Sequence, residues 1–308
     1  MTVGITFTNG LEAIVITDSR VSELSRESDS ASKMGMFKKD SYHGIVFGSG
    51  SAVSVLSIIE ELDVVDGNSV EDYAAALHEK LHSHEKKILN LNLQVEHEHI
   101  HRKAQLILDE KARAQFIEQE IGKLMQGYEK YRNDSPNLQT NLVITAYAAE
   151  RVRLFSINRI QWEERFDAHG EIGSGTDGAN LYLGAALQGI NTKMLTAGEL
   201  LFYVVNAYSY ATLNIGVGGT PKIAHFSQRS SRILPVEQTR LLTNISSAYT
   251  SRYTPTLTPQ RMKKYCTDIL AGQNVSLSHL AQMLNMTPNS LQTMAIPYSI
   301  WQERANSR

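Results

Sequence analysis

The hydrophobic positions run first in strand-like segments. TVGITFT (2–8) and LEAIVITD (11–18) are β-rich, and Asn9-Gly10 between them is a strong hairpin signal. KMGMFKKD (33–40) and HGIVFGSG (43–50) read as two more strands meeting at Asp40 to Tyr42, after the polar stretch SELSRESDSAS (22–32). Short connections of this kind predict antiparallel pairing. At SGSAVSVLSIIEEL (49–62) the apolar period becomes helical, with Val53, Leu56, Ile59 and Leu62 on one side. Asp66-Gly67-Asn68 stops that helix, and Ser69, with Asp72 three residues on, caps the next.

From Val70 to about Arg132 there is no proline, and the first glycine is Gly122. This charge-laced, Leu/Ile/Ala-spaced stretch predicts one very long helix or a hairpin of two, projecting as an arm at about 84–133. Asn133 to Asn137 closes the arm. TNLVITAYAAE, RVRLFSINR and IQWEERF are again strand-like, and GEIGSGTDG leads into helices expected at Ala179 to Gln188 and Ala197 to Thr212. IGVGGTPKIAHFS returns to a strand. Strands, two helices, strands, two helices, strand: in one domain this order predicts an α+β, four-layer αββα sandwich, two stacked sheets with helix pairs outside. No internal repeat interrupts it.

Composition adds little to this and excludes some classes. Of the 308 residues 42% are hydrophobic and 20% charged, and no apolar run approaches the roughly 20 residues of a membrane span. The start MTVGITFTNG has neither a basic segment nor a long apolar one to direct secretion, and the single cysteine, Cys266, excludes an internal disulfide. A cytoplasmic protein with no membrane partner is expected. Charge is uneven: from Gln228 onward there are nine Lys/Arg against three Asp/Glu, a charge of +6 beside −8 for residues 1–227. The expectation is therefore a body at 1–227 and a basic, mostly helical extension at 228–308. Within the extension SLSHLAQMLNMTPNSL, at the start of 276–296, resembles a helix-turn-helix. Its second helix carries no Arg or Lys to read DNA, so a small bundle packing on the body or a neighbouring subunit is the preferred reading. Arg261, Lys263 and Lys264 are the nearest candidates for phosphate contact.

The most conspicuous motif is HEHIH (97–101), an H-E-x-x-H match, followed by Glu120 with eighteen residues between. A zinc peptidase would take His97 and His101 as ligands and Glu98 as general base. The segment between His101 and Glu120 has no Gly, Pro, Asn or Ser to turn the chain. In one helix Glu120 would stand about 28 Å away. A turn without an obvious breaker, or a ligand from His78, His82 or His84 in the preceding turns, is the alternative; no metal site is favoured, and His97 and His101 read as a solvated helix face.

The first residues carry better chemistry. Removal of Met1 before the small Thr2 exposes a threonine whose hydroxyl is a nucleophile and whose own α-amine, with a reference pKa of about 7.7–8, is the base. Thr2, Asp18-Ser19-Arg20 after a hairpin, Ser32-Lys33-Met34, Gly48-Ser49-Gly50-Ser51-Ala52 opening a helix, and Ile172-Gly173-Ser174-Gly175 together resemble the landmarks of proteasome β subunits and related N-terminal-nucleophile (Ntn) hydrolases. The resemblance implies Thr2 as nucleophile, Lys33 as the cation that tunes it, Asp18 as the group orienting Lys33, the Gly50 N–H as oxyanion donor and Ser174 as a positioning group. Arg20, Asn214 and Gly218 would support the site. Taken singly, Asp18 and Arg20 better suit a turn ion pair, Lys33 a surface strand position, and Gly-Ser-Gly a helix-entry turn; taken together in this order, they favour the site.

The resemblance departs where proteasome subunits carry Asp and Ser before a Gly-Gly pair: here Asn214 and Val217 precede Gly218-Gly219, as in some bacterial relatives of the ancestral-β-subunit (Anbu) type. It implies a threonine peptidase or amidohydrolase acting on peptide or protein, without a cofactor and as a homo-oligomer, a ring among the candidates, with or without an ATPase partner. Peptide ligation, as in the connectases that also resemble β subunits, is a lesser alternative. A non-catalytic proteasome-like scaffold whose extension binds a partner or DNA is the reading from another class.

Overall fold

The structure, a computed structural model, describes residues 3–18, 21–23, 26–28, 32–134, 140–213, 221–250, 258–272 and Thr287. Strands β1 (Val3–Thr8) and β2 (Glu12–Thr17) form the expected hairpin. Its turn is closed by Asn9, whose side-chain oxygen accepts from the N–H groups of Leu11 and Glu12 at 2.9 and 2.8 Å, and by Gly10 at φ +93°. A short hairpin of β3 (Val21–Glu23) and β4 (Arg26–Ser28) follows, where the sequence read only as polar. Then come β5 (Met34–Lys38), β6 (His43–Ser49) and α1 (Ala52–Glu60).

Helix α2 (Val70–Ala104) opens on the expected capping box of Ser69 and Asp72, and α3 (Glu110–Asp134) returns antiparallel to it. Strands β7 (Asn141–Ala148), β8 (Arg151–Ile157), β9 (Trp162–Arg165) and β10 (His169–Gly173) precede α4 (Thr176–Ala186) and α5 (Ala197–Ala211). Last come β11 (Lys222–Ser227), β12 (Ser231–Ile233), α6 (Val236–Thr250) and α7 (Pro259–Leu270).

The strands make two antiparallel five-stranded sheets, ordered β10-β1-β2-β11-β12 and β5-β6-β7-β8-β9. Three apolar layers separate four structural ones. Val3, Ile5 and Phe7 face α4 and α5. Ala13, Val15, Phe47, Val143 and Phe226 fill the space between the sheets. Val46, Ile144 and Phe155 meet α1 and the first turns of α2 through Ile58, Tyr73 and Leu77. The αββα sandwich is thus the observed fold, and a strand such as β2, buried on both faces, has a continuous apolar run (Ala13 to Ile16) for that reason. Gly4 lies where the sheets approach: a Cβ there would sit 2.4 Å from the Phe47 ring. Deeper in, the Thr145 hydroxyl donates to that of Thr6 at 3.1 Å across the same gap.

Several expectations change. The buried side of α1 is Ser54, Val55 and Ile58, one position away from the stripe that includes Val53, which is exposed. HGEIG forms β10, paired with β1, rather than only a loop entering helices. The long stretch after Val70 is a hairpin of two helices, turned at 105–109 without Gly, Pro, Asn or Ser. Asp109 supplies the missing punctuation: its carboxylate accepts from the Ala112 N–H at 2.7 Å, an N-cap for α3. Arg113 then donates twice to the Ile107 carbonyl at 3.0 and 2.7 Å, closing the turn.

Within residues 228–308, β12 joins the first sheet and α6 and α7 cover α5, burying Leu242, Ile245, Met262, Tyr265, Cys266 and Ile269. Helix α5 is enclosed by them, by α4 and by β1 and β2, and so it is apolar nearly all round. The 276–296 segment lies outside the described residues except Thr287. Among the described residues no helix is long and apolar enough to cross a membrane.

Candidate active site

One end of the sandwich carries Asp18, Lys33, Gly50 and Ser174 at the ends of neighbouring strands. β1 starts there, β2, β6 and β10 end there, and β5 starts there, as the pairs Gly4↔Thr17, Val3↔Gly173 and Met34↔Phe47 fix. Asp18 follows β2 in the first sheet and Lys33 precedes β5 in the second, so their contact is a bond between sheets. The Lys33 ammonium donates to Asp18 Oδ1 at 3.1 Å, with side-chain exposures of 6% and 0%.

The same oxygen accepts the Val3 N–H at 3.2 Å, and the Asp18 N–H donates to the Val3 carbonyl at 3.1 Å. Burying these charges costs several kcal/mol per ion, which close pairing and further hydrogen bonds must offset. Lys33 is therefore not a surface strand residue but a buried cation held beside the first peptide of β1.

Gly50 and Ser174 border this pair. The Gly48 N–H donates to the Lys33 carbonyl at 3.1 Å, which ties the end of β6 to Lys33. Gly50, exposed, takes φ +105°, a conformation that favours glycine, immediately before Ser51 caps α1. Ser174 follows the Val3↔Gly173 pair and is exposed. Thr2, Arg20, Asn214 and Gly218 lie outside the described residues. Two further groups had no signal in the sequence: the Val3 amide on Asp18, a backbone donor without a side-chain signature, and the Thr17 hydroxyl, buried next to Asp18 with no hydrogen-bond partner among the described residues.

The other candidates lie elsewhere. His97 and His101 sit on one face of α2 with ring centres 5.3 Å apart, along an open groove that Glu98 and Arg102 also line. Glu98 is paired with Arg102, and Glu120 with Lys123. Among the described residues no three His, Cys, Asp or Glu side chains group to hold a metal ion. Lys263, a candidate for phosphate contact, is already engaged: it donates to Glu199 at 2.9 Å and lies over the rings of Phe202 and Tyr203.

No protein-family model matches the sequence, and no curated protein matches it. Solved structures do resemble the fold. The Gly-1 mutant of Anbu from Hyphomicrobium sp. strain MC1 superimposes with a TM-score of 0.53 at 13% identity, over 84% of this chain and 98% of that one. Anbu (ancestral beta-subunit) from Yersinia bercovieri gives 0.51 at 13% identity, over 83% and 98%. The Anbu complex from Pseudomonas aeruginosa, solved as a helical assembly, gives 0.53 at 12% identity, over 83% and 97%. With nearly the whole of each Anbu chain matched by two antiparallel sheets between helical layers, this chain has the proteasome-like Ntn-hydrolase fold of the Anbu proteins.

Proposed function

We propose that the protein is a threonine-type Ntn hydrolase acting on peptide bonds, with Thr2 as nucleophile once Met1 is removed. The observation that carries this reading is the buried Lys33–Asp18 pair, whose carboxylate also holds the Val3 amide. Thr2 is joined to Val3 through that peptide bond, next in sequence to the amide that the Asp18 carboxylate holds. An ammonium nearby disfavours protonation of the α-amine and so favours the free base.

In the proposed reaction the Thr2 hydroxyl oxygen bonds to the substrate carbonyl carbon while its proton passes to the α-amine. The Gly50 N–H steadies the oxyanion, the C–N bond breaks, and the leaving amine takes the proton. Water then attacks the ester, releasing the acid and restoring Thr2. An incoming amine at this step would give ligation instead. Ser174 positions the amine or the water, and Arg20, Asn214 and Gly218 support the surrounding loops. The similarity to a helically assembled Anbu complex supports a homo-oligomer.

Intact mass of the purified protein is the first test, with loss of Met1 expected. An electrophile directed at N-terminal threonine should then label the wild type and not Thr2→Ala. Equal labelling of both proteins, or complete retention of Met1, overturns the mechanism in favour of a proteasome-like scaffold without catalysis.

A further inference from the structure

A second histidine pair on α2, outside the HEHIH motif, has features that the motif lacks. His78 and His82 are one turn apart where the helix leaves the second sheet, just past Tyr73 and Leu77 in the core. Their ring centres are 4.6 Å apart. With metal–nitrogen bonds of about 2.0–2.1 Å and a ring centre about 1.2 Å behind each nitrogen, two imidazoles sharing an ion at angles near 90–110° have centres about 4.5–5.3 Å apart. Both histidine pairs meet that spacing, so spacing does not separate them.

What separates them is the environment of His78. Its Nε2 is buried with no hydrogen-bond partner, while the ring bonds to the backbone of Arg159, in the turn between β8 and β9. Because Nε2 is unpartnered, that bond is made through Nδ1, which fixes the tautomer with a lone pair on Nε2. Metal-binding histidines are held this way, one nitrogen donating to a carbonyl and the other ligating. A buried ring nitrogen without a partner is also a cost that a ligand would remove.

We propose that His78 and His82 form a bidentate site for a borderline divalent transition ion such as Zn²⁺, clasping the foot of the arm. His78 supplies Nε2 from its fixed ring, and exposed His82 turns its ring to complete the chelate. Two waters leave the hydrated ion, and its remaining positions stay with water. His97 and His101 are both exposed and serve as an internal comparison on the same helix.

The test is calorimetric titration of the full chain with Zn²⁺ at neutral pH. One site tighter than the rest is expected, weakened about 10²–10⁴-fold in His82→Ala, since removing one arm of a chelate forfeits its effective concentration. It should be unchanged in the double variant His97→Ala/His101→Ala and partly restored in His82→Cys, which keeps a ligand. His82 is exposed, so its variants retain the fold, and circular dichroism verifies this. Absence of a tight site in the wild type, unchanged affinity in His82→Ala, or loss of the site in the His97/His101 double variant each overturns the proposal.

Discussion

The contact between Asp18 and Lys33 can be tested apart from any activity. At 3.1 Å and an effective dielectric near 20, the attraction is about 5 kcal/mol gross. Both groups have given up their hydration, so the net contribution of the intact pair is far smaller. Deleting one partner forfeits the attraction and leaves the other charge buried, a loss of about 3–5 kcal/mol. For a chain of this size that lowers Tm by about 5–8 °C.

Lys33→Met and Asp18→Ala should each show this loss. The double variant Asp18→Asn/Lys33→Met removes both charges, fills the lysine's space and leaves an amide oxygen to accept the Val3 N–H. It should return to within about 1 kcal/mol of wild type while remaining unlabelled by the threonine-directed electrophile. Thermal and urea unfolding at one fixed protein concentration give the stabilities. Wild-type stability in Lys33→Met, or a double variant less stable than either single one, would refute the reasoning.

Other consequences are as specific. Gly4→Ala places a methyl group against the Phe47 ring and should cost about 1–3 kcal/mol by overpacking, together with reduced labelling, because the same strand carries the Val3 amide. Asp109→Ala removes the cap of α3 and about 1 kcal/mol, read as faster amide exchange in the first turn of α3 with the sheets unaffected. Arg153 links β8, β9 and α2 by donating from Nε to Glu164 at 2.8 Å and from its terminal nitrogens to Glu164 and Glu71. The Arg153 hydrogen bond lowers the Glu164 pKa, so this stabilisation is complete above the ordinary carboxylate range and is lost as pH falls through the depressed folded value. Arg153→Met should therefore cost about 1.5–3 kcal/mol at pH 7 and progressively less in acid, as urea unfolding across pH would record.

How far the sequence could be read depended on what each residue had to signal. β2, β6 and β7 are buried on both faces or nearly so, and their apolar runs were legible without tertiary information, whereas β1 alternates apolar residues with Gly and Thr. Helix α1 misled because its buried face includes a serine: Ser54 is buried and hydrogen-bonds Ser51, so the polar residue lies on the side expected to be apolar. β10 is short, begins with His-Gly and ends with glycine, and its identity as a strand depends on pairing with β1, 160 residues and more away. At the candidate site Asp18 and Lys33 stood out through family resemblance. Their bond joins two sheets, and no local pattern encodes it. HEHIH was the loudest motif, while the pair with the better-prepared ring, His78 and His82, matches no familiar pattern: its distinction comes from the backbone of Arg159.

Helix α2 contains neither proline nor glycine in its 35 residues and spans about 53 Å. Its beginning is wedged against the second sheet through Val70, Tyr73, Ala74, Leu77 and Leu81, and past Leu89 its buried residues are only Ile100 and Ala104. With no internal hinge, this is a lever whose fulcrum lies in the core. A small tilt at Tyr73 becomes a displacement of several ångströms at Leu106, and a load applied to the tip returns as torque on β7, β8 and β9.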